Sequence, residues 1–323
     1  MRDKNSIIDL AIKTIKSEAE SIRNLSNLIN EDFYKIVELI YESKGRVIVT
    51  GIGKSANIAN KIVATLNSTG TPAIFMHAAD AIHGDLGIVR KDDIVICLSK
   101  SGNTPEIKVL VPLIKNFGNK IIAIVSNKNS FLAKNSDFIL NASIESEACP
   151  NNLTPTTSTT AQLVIGDALA VCLLDYRGFT SDDFAKYHPG GSLGKQLYSK
   201  VDDLYVKFTD APKVKLNDSL KKVILEISSK RLGASAVIDD DNKILGIITD
   251  GDLRRMLEKD ISFENIKASD IMSLTPKTIN KDELSINAFN LMKQNNITHL
   301  IVTRKDEYIG MLHLHDILKE GIV

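Results

Sequence analysis

Tryptophan is absent from this 323-residue chain, and aromatic residues make up only 5% of it. An aromatic platform for stacking single-stranded nucleic acid is therefore not expected. Net charge is also missing: forty basic residues balance forty acidic ones. That balance excludes nucleic-acid binding through bulk positive charge, and it excludes an acidic tail. The cysteines Cys97, Cys149 and Cys172 are few, odd in number and widely spaced. They match no zinc-ligand spacing and fit a reducing, cytoplasmic compartment. The longest nearly apolar stretch, 163–174, is interrupted by Asp167 and falls short of the about 20 residues that a bilayer requires. The opening MRDKNSIIDL is charged and lacks an apolar core, so it does not read as a signal peptide. Neither a membrane nor a nucleic acid is expected as a partner.

What is present suggests about two domains, at roughly 150 residues each. Apolar residues are 43% and charged residues 25% of the chain, ordinary for a globular protein. Residues 4–44 carry helical stripes: Ile7, Leu10, Ile12 and Ile15, then Leu25, Leu28, Phe33, Ile36 and Leu39. Beyond them short β-branched runs at 46–50, 72–76, 93–99, 120–126 and 137–141 alternate with helical stretches. The runs are continuously apolar, as in strands covered on both faces. Strand–helix alternation implies right-handed crossovers and a doubly wound parallel sheet of five strands. This α/β domain is expected over 1–203.

The remainder is a repeat. An ungapped offset of 64 residues aligns Pro212 with Pro276, Leu220 with Leu284, Gly246 with Gly310 and Asp252 with Asp316. Each unit reads as strand or turn, helix, strand, strand, helix. Two such α+β units, 204–268 and 269–323, should pack as a pseudo-symmetric pair. VDDLYVKFTDAPK reads as the linker.

Chemistry concentrates at strand ends. After the third strand comes Ser99-Lys100-Ser101-Gly102-Asn103-Thr104-Pro105-Glu106, where Pro105 suits the first position of a helix. Backbone N–H groups at a helix start bind anions, and hydroxyls at this spacing can donate to phosphate oxygens. A plain Ser/Thr cap is the simpler alternative. A second loop, Gly51-Ile52-Gly53-Lys54-Ser55, follows the first strand. It resembles the end of a Walker A motif but lacks the earlier glycine, so a nucleotide P-loop is rejected. Open α/β sheets hold ligands at the carboxyl ends of strands. Two polar loops there favour a small phosphorylated ligand. His83 and Asp85 follow the second strand, Glu145, Glu147 and Cys149 follow the fifth, and His188 lies in a glycine-rich turn. Taken singly, each would more often be structural.

GIGKS, STGTPA, HAADAIHGDLG, SKSGNTPEI, SEACP, LTPTTSTTAQLVIGDALA and YHPGGSLGK together resemble the D-arabinose 5-phosphate isomerase family. That family joins a sugar isomerase (SIS) domain to a tandem pair of cystathionine-β-synthase-type (CBS) domains. The resemblance implies interconversion of D-ribulose 5-phosphate and D-arabinose 5-phosphate through an enediol or enediolate. The product would supply Kdo for lipopolysaccharide or capsule. The positions matching the family's catalytic set are Lys54, Glu106, Glu147 and His188. Those matching substrate-binding positions are Ser55, Gly70, Thr71, His83, Ser99, Ser101 and Thr104. His77 matches a metal position, with zinc as an inhibitory ligand and no required cofactor. GIITDGDLRR is typical of a CBS motif. Thr249 and Asp252 match positions where CBS pairs hold a ribose or phosphate, and in the second repeat His313 replaces the threonine while Asp316 keeps the acid. A regulatory ligand there, a nucleotide or CMP-Kdo, is weighed against a module that only packs and aids oligomerisation. The resemblance further implies a homotetramer. Two other readings are weighed: a SIS isomerase of a hexose or heptose phosphate, and a sugar-phosphate-sensing regulator without turnover.

Overall fold

A computed structural model describes residues 3–258 and 265–323. The chain divides into two compact units, Met1–Phe184 and Ala185–Val323.

The first unit opens with two helices, α1 (Lys4–Leu25) and α2 (Glu31–Glu42). Side-chain caps begin both: Asp3 accepts the Ser6 N–H and Asn30 accepts the Asp32 N–H. Then follow β1 (Val47–Gly51), α3 (Lys54–Ser68), β2 (Ala73–His77), α4 (Ala78–Ala81), β3 (Ile94–Leu98), α5 (Pro105–Asn116), β4 (Lys120–Val125), α6 (Phe131–Lys134), β5 (Phe138–Asn141) and α7 (Thr157–Tyr176). All five expected strands form, each within one residue of its expected bounds. They build one parallel sheet in the order β2-β1-β3-β4-β5.

Alternate strand residues serve opposite faces, as the pleat requires. Val47, Val49, Ile94, Ile96, Ile122 and Ile124 pack with residues of α2, α3 and α7. Ile48, Val95, Cys97, Ile121 and Ala123 pack with residues of α5 and α6. Burial on both faces explains why the strands read as unbroken apolar runs. Cys97 is completely buried, and that burial pushes its thiol up to about 12. The helix α7 has the length and composition of a membrane span. However, its Ala161, Ile165, Leu169 and Leu173 are buried against the sheet, which makes it a core helix.

The helix α8 (Ser181–Tyr187) contains the division between the units. The second unit continues with α9 (Ser192–Tyr198), β6 (Val206–Lys207), β7 (Lys213–Lys215), α10 (Leu220–Lys230), β8 (Ala234–Ile238), β9 (Ile244–Thr249) and α11 (Asp250–Leu257). After it come α12 (Ala268–Ile271), β10 (Thr278–Asn280), α13 (Ser285–Asn295), β11 (His299–Arg304), β12 (Glu307–His313) and α14 (Leu314–Lys319). Two sheets form, β7-β8-β9 and β10-β11-β12-β6. The α+β repeat is real, but two details differ from the expectation. VDDLYVKFTDAPK is not a linker: Val201 and Ala211 are fully buried and β6 pairs with β12. Its apolar residues gain more from burial than a solvated connector would allow. The repeat also contains a one-residue shift. The bulge after Val237 corresponds to the one after Val302, 65 residues on, while the partners Gly246 and Gly310 are 64 apart. The hairpin turn is one residue shorter in the second repeat, and an ungapped alignment cannot register that.

Candidate active site

The strand order reverses direction between β1 and β3, the topological switch point where open sheets leave a crevice. Gly51 pairs with Leu98 there, so the two loops expected to bind an anion leave the sheet side by side. Gly53 adopts the left-handed region, with φ of 58°, which glycine reaches without a steric cost. Lys54 follows at the first position of α3, exposed, and Ser55 is half-buried. Among the described residues no side chain caps α3.

The loop after β3 is fixed by its neighbours. The Ser99 N–H donates to the Ile124 carbonyl, and the Ser126 N–H donates to that of Lys100. Gly102 has φ of 64°, and a Cβ there would lie 2.2 Å from the Ser130 hydroxyl oxygen, so only glycine fits. Pro105 begins α5 as expected, with Thr104 at the cap position. A plain cap is nevertheless the wrong description. Ser99 Oγ accepts from Gly102 N–H and Ser101 Oγ accepts from Asn103 N–H. The Thr104 Oγ1 is buried and makes no hydrogen bond among the described residues. A buried, unpaired hydroxyl is costly unless a ligand completes it. Glu106 lies half-buried in the first turn of α5.

Glu147 reaches the same edge from the loop after β5, and its side chain is fully inaccessible. Its Oε1 accepts from Lys100 Nζ at 2.6 Å and from the Ser158 hydroxyl at 2.5 Å. Its Oε2 accepts from Thr156 N–H at 2.9 Å, Ser158 N–H at 3.1 Å and the Thr156 hydroxyl at 3.2 Å. The carboxylate thus caps α7 from a distance, satisfying N–H groups that have no partner inside the helix. Burial acts to raise its pKa. The Lys100 ammonium, the Ser158 hydroxyl and the two backbone N–H groups outweigh that and hold it down at about 2.

The remaining expected residues are spread out. His77 ends β2 opposite Gly51, with Nδ1 at 3.6 Å from Asp80 Oδ2. His83 is exposed in the turn after α4. Among the described residues no group of three or more His, Cys, Asp and Glu gathers in a metal-binding arrangement. Gly70 and Thr71 precede β2, on the amino edge of the sheet, a strand's length of roughly 15 Å from the crevice. Thr71 is buried, and its hydroxyl accepts from Arg177 Nε at 3.3 Å. One chain by itself does not bring these two to Lys54 and Ser101. His188 lies in the second unit. There a Cβ on Gly194 would meet the His188 carbonyl oxygen at 2.3 Å, which explains the glycine in the YHPGGSLGK motif.

The second unit encloses a cavity of about 900 Å³ lined by both repeats. Thr249, Asp252 and His313 line it, whereas Asp316 instead accepts the His313 N–H at the start of α14. The Asp252 carboxylate is already occupied: Oδ2 accepts from the Thr249 N–H and hydroxyl, Oδ1 from Arg255 at 2.6 Å. Sequence reasoning missed His299. Its ring lies 4.7 Å from that of His313, and its Nε2 is buried in the cavity wall without a partner among the described residues. Burial, and then the neighbouring His313, hold its pKa below the usual imidazole range. Lys100 was missed as well. Its position between two serines was visible, but its partner is 47 residues away.

Family models match a SIS domain over residues 39–172 and CBS domains over 201–259 and 268–322. A Pseudomonas aeruginosa protein named arabinose 5-phosphate isomerase KdsD is 44% identical over 324 residues, covering 100% of this chain and 99% of its own length. A Francisella tularensis protein of the same name is 46% identical, covering 97% of both chains. Among solved structures, an Escherichia coli CFT073 protein in complex with arabinose 5-phosphate superposes with a TM-score of 0.56 at 37% identity. That match covers 58% of this chain and 100% of the other.

Proposed function

Because the chain belongs to the arabinose 5-phosphate isomerase family, a SIS domain followed by two CBS domains, we propose that it interconverts D-ribulose 5-phosphate and D-arabinose 5-phosphate at the crevice between β1 and β3. The observation that carries this reading is the pair of helix starts there, with the unpaired Thr104 hydroxyl buried between a serine-rich loop and α5. The substrate phosphate takes the hydroxyls of Ser99, Ser101 and Thr104. Its binding energy positions the distant carbons.

Loss of a proton from C1 of the ketose places an electron pair in a C1–C2 double bond and negative charge on O2. Transfer of the O1 proton to O2, and of a proton to C2, leaves the carbonyl at C1 and yields the aldose. Lys54, at the first position of α3, stabilises the developing charge on oxygen. Glu106 orients Lys54. A base for this step is best matched to neutral pH. Glu147, held at about 2 with both oxygens occupied, is poorly suited. We therefore assign the proton to His188, since imidazole is the side chain suited to accept and return it near neutrality, and assign Glu147 a positioning role. No metal enters these steps. Zinc, if held at His77, acts as an inhibitor, and loss of activity with chelator that zinc restores would overturn that.

The test is incubation of ribulose 5-phosphate with the enzyme in D2O. Arabinose 5-phosphate is expected, with deuterium at C2 wherever the base exchanges its proton with solvent before returning it, and absence of arabinose 5-phosphate overturns the function. Glu147→Gln should retain slow exchange, and His188→Ala should abolish it. Full exchange in His188→Ala removes His188 from the proton's path. Supply of Kdo from the cytoplasm is tested by complementing a strain that lacks arabinose 5-phosphate. The CBS cavity, with Arg231, Arg255 and Lys277 in its wall, takes an anionic nucleotide or CMP-Kdo and regulates turnover. Calorimetry with activity in parallel tests this, and heat without an activity change removes the regulatory part. The homotetramer is tested by sedimentation.

A further inference from the structure

The contact between Lys100 and Glu147 joins two parts of the crevice that arise far apart in the chain. Lys100 lies between Ser99 and Ser101. Its carbonyl is pinned to Ser126 N–H, so its backbone cannot shift without disturbing the end of β4. Its ammonium spans inside and outside. It donates at 2.6 Å to a carboxylate with no accessible surface, yet 44% of the lysine side chain remains exposed. An ammonium has three donors, and a single protein acceptor is found for it among the described residues. Glu147, in contrast, has no capacity left. Five donors meet its two oxygens, where a carboxylate offers about four lone-pair sites.

We propose that Lys100 is a positioning residue of the isomerase. Its ion pair with Glu147 locks the loop before α7 against the SKSGNT loop and keeps a positive charge beside the phosphate site. This rests on the reading of SKSGNT as the phosphate loop. The charge on Lys100 matters twice. It neutralises a buried carboxylate, which is strongly unfavourable if left alone, and its exposed side adds to the field that attracts the dianion.

The test uses the full chain with Lys100→Met, Lys100→Gln and Lys100→Arg, each also in the Glu147→Gln background. The readouts are KM, kcat and the rise in unfolding temperature given by inorganic phosphate. Lys100→Met should lower kcat/KM by about 100-fold, the scale of a small misplacement of substrate, mainly through KM. It should also reduce the phosphate-induced temperature rise. Arg, which keeps the charge and can pair with the carboxylate, should recover most of both. In the Glu147→Gln background the same change should cost little further, because paired residues are not additive. Should Lys100→Met fail to fold, Lys100→Gln carries the same comparison, since its amide still donates but carries no charge. An unchanged KM and an unchanged phosphate effect in the neutral variants overturn the proposal. So does an equal cost in both backgrounds. A wild-type chain with no isomerase activity whose phosphate response still depends on Lys100 defeats the functional reading alone.

Discussion

Replacing Glu147 by glutamine separates a buttress from a base. A carboxylate held at about 2 instead of its ordinary 4.5 contributes about 3 kcal/mol to folding at neutral pH. Glutamine removes that charge and turns an amide N–H2 toward N–H and O–H donors, so the loss should reach about 3–5 kcal/mol, as when a buried pair is broken. For a unit of this size that lowers the unfolding temperature by roughly 6–20 °C. The sign with pH follows from the depressed value. The stabilisation is fully present above the unfolded-state value of 4.5 and fades as pH falls from there toward about 2. Calorimetric unfolding of both proteins at pH 7, 5, 4 and 3 should therefore show a constant gap down to pH 5 and a narrowing one below. The pH profile of kcat/KM between 5 and 8 should keep its shape in the variant and lose height only. An acid limb that disappears with Glu147, or parallel stability curves between pH 5 and 3, would refute the assignment.

Three further outcomes follow from local geometry. Thr104→Val removes a hydroxyl that makes no hydrogen bond among the described residues. Stability should rise by about 1–3 kcal/mol, because the cost of a buried unpaired hydroxyl is removed, while KM for the sugar phosphate rises about 10- to 100-fold, the worth of a bond to a charged group. Gly194→Ala would place a methyl carbon 2.3 Å from the His188 carbonyl oxygen. It should displace the turn carrying His188 and lower kcat about 100-fold, measured by steady-state assay with circular dichroism to confirm the fold. His299 resists protonation, chiefly because it is buried. A folded-state value below the unfolded one means that stability falls as pH drops below about 6.5, and His299→Gln should flatten that slope in denaturant titrations. An identical slope in the variant would remove His299 as its source.

The strands were legible because each is short, continuously apolar and bounded by polar turns, signals that lie within a few adjacent residues. The SKSGNT loop was legible for the same reason: Pro105, Gly102 and the hydroxyls sit next to one another. The repeat was visible through Gly246 and Gly310, but its one-residue shift was not, because two strands and a turn keep their apolar pattern whichever residue the turn omits. Gly70 and Thr71 looked like site residues from their motif. Which edge of a sheet a residue occupies depends on strand direction, and only the assembled sheet fixes that.

The order of residues by itself thus determined the elements, the two kinds of domain and the polar loops at the strand ends, since backbone preference and burial pattern are local quantities. Folding decided which loops stand together: the reversal between β1 and β3, the strand made by the supposed linker, the contact between the His299 and His313 rings, and the pairing of Lys100 with Glu147. Those depend on contacts between residues far apart in the chain, whose energies exist only once the sheets have closed and water has been excluded.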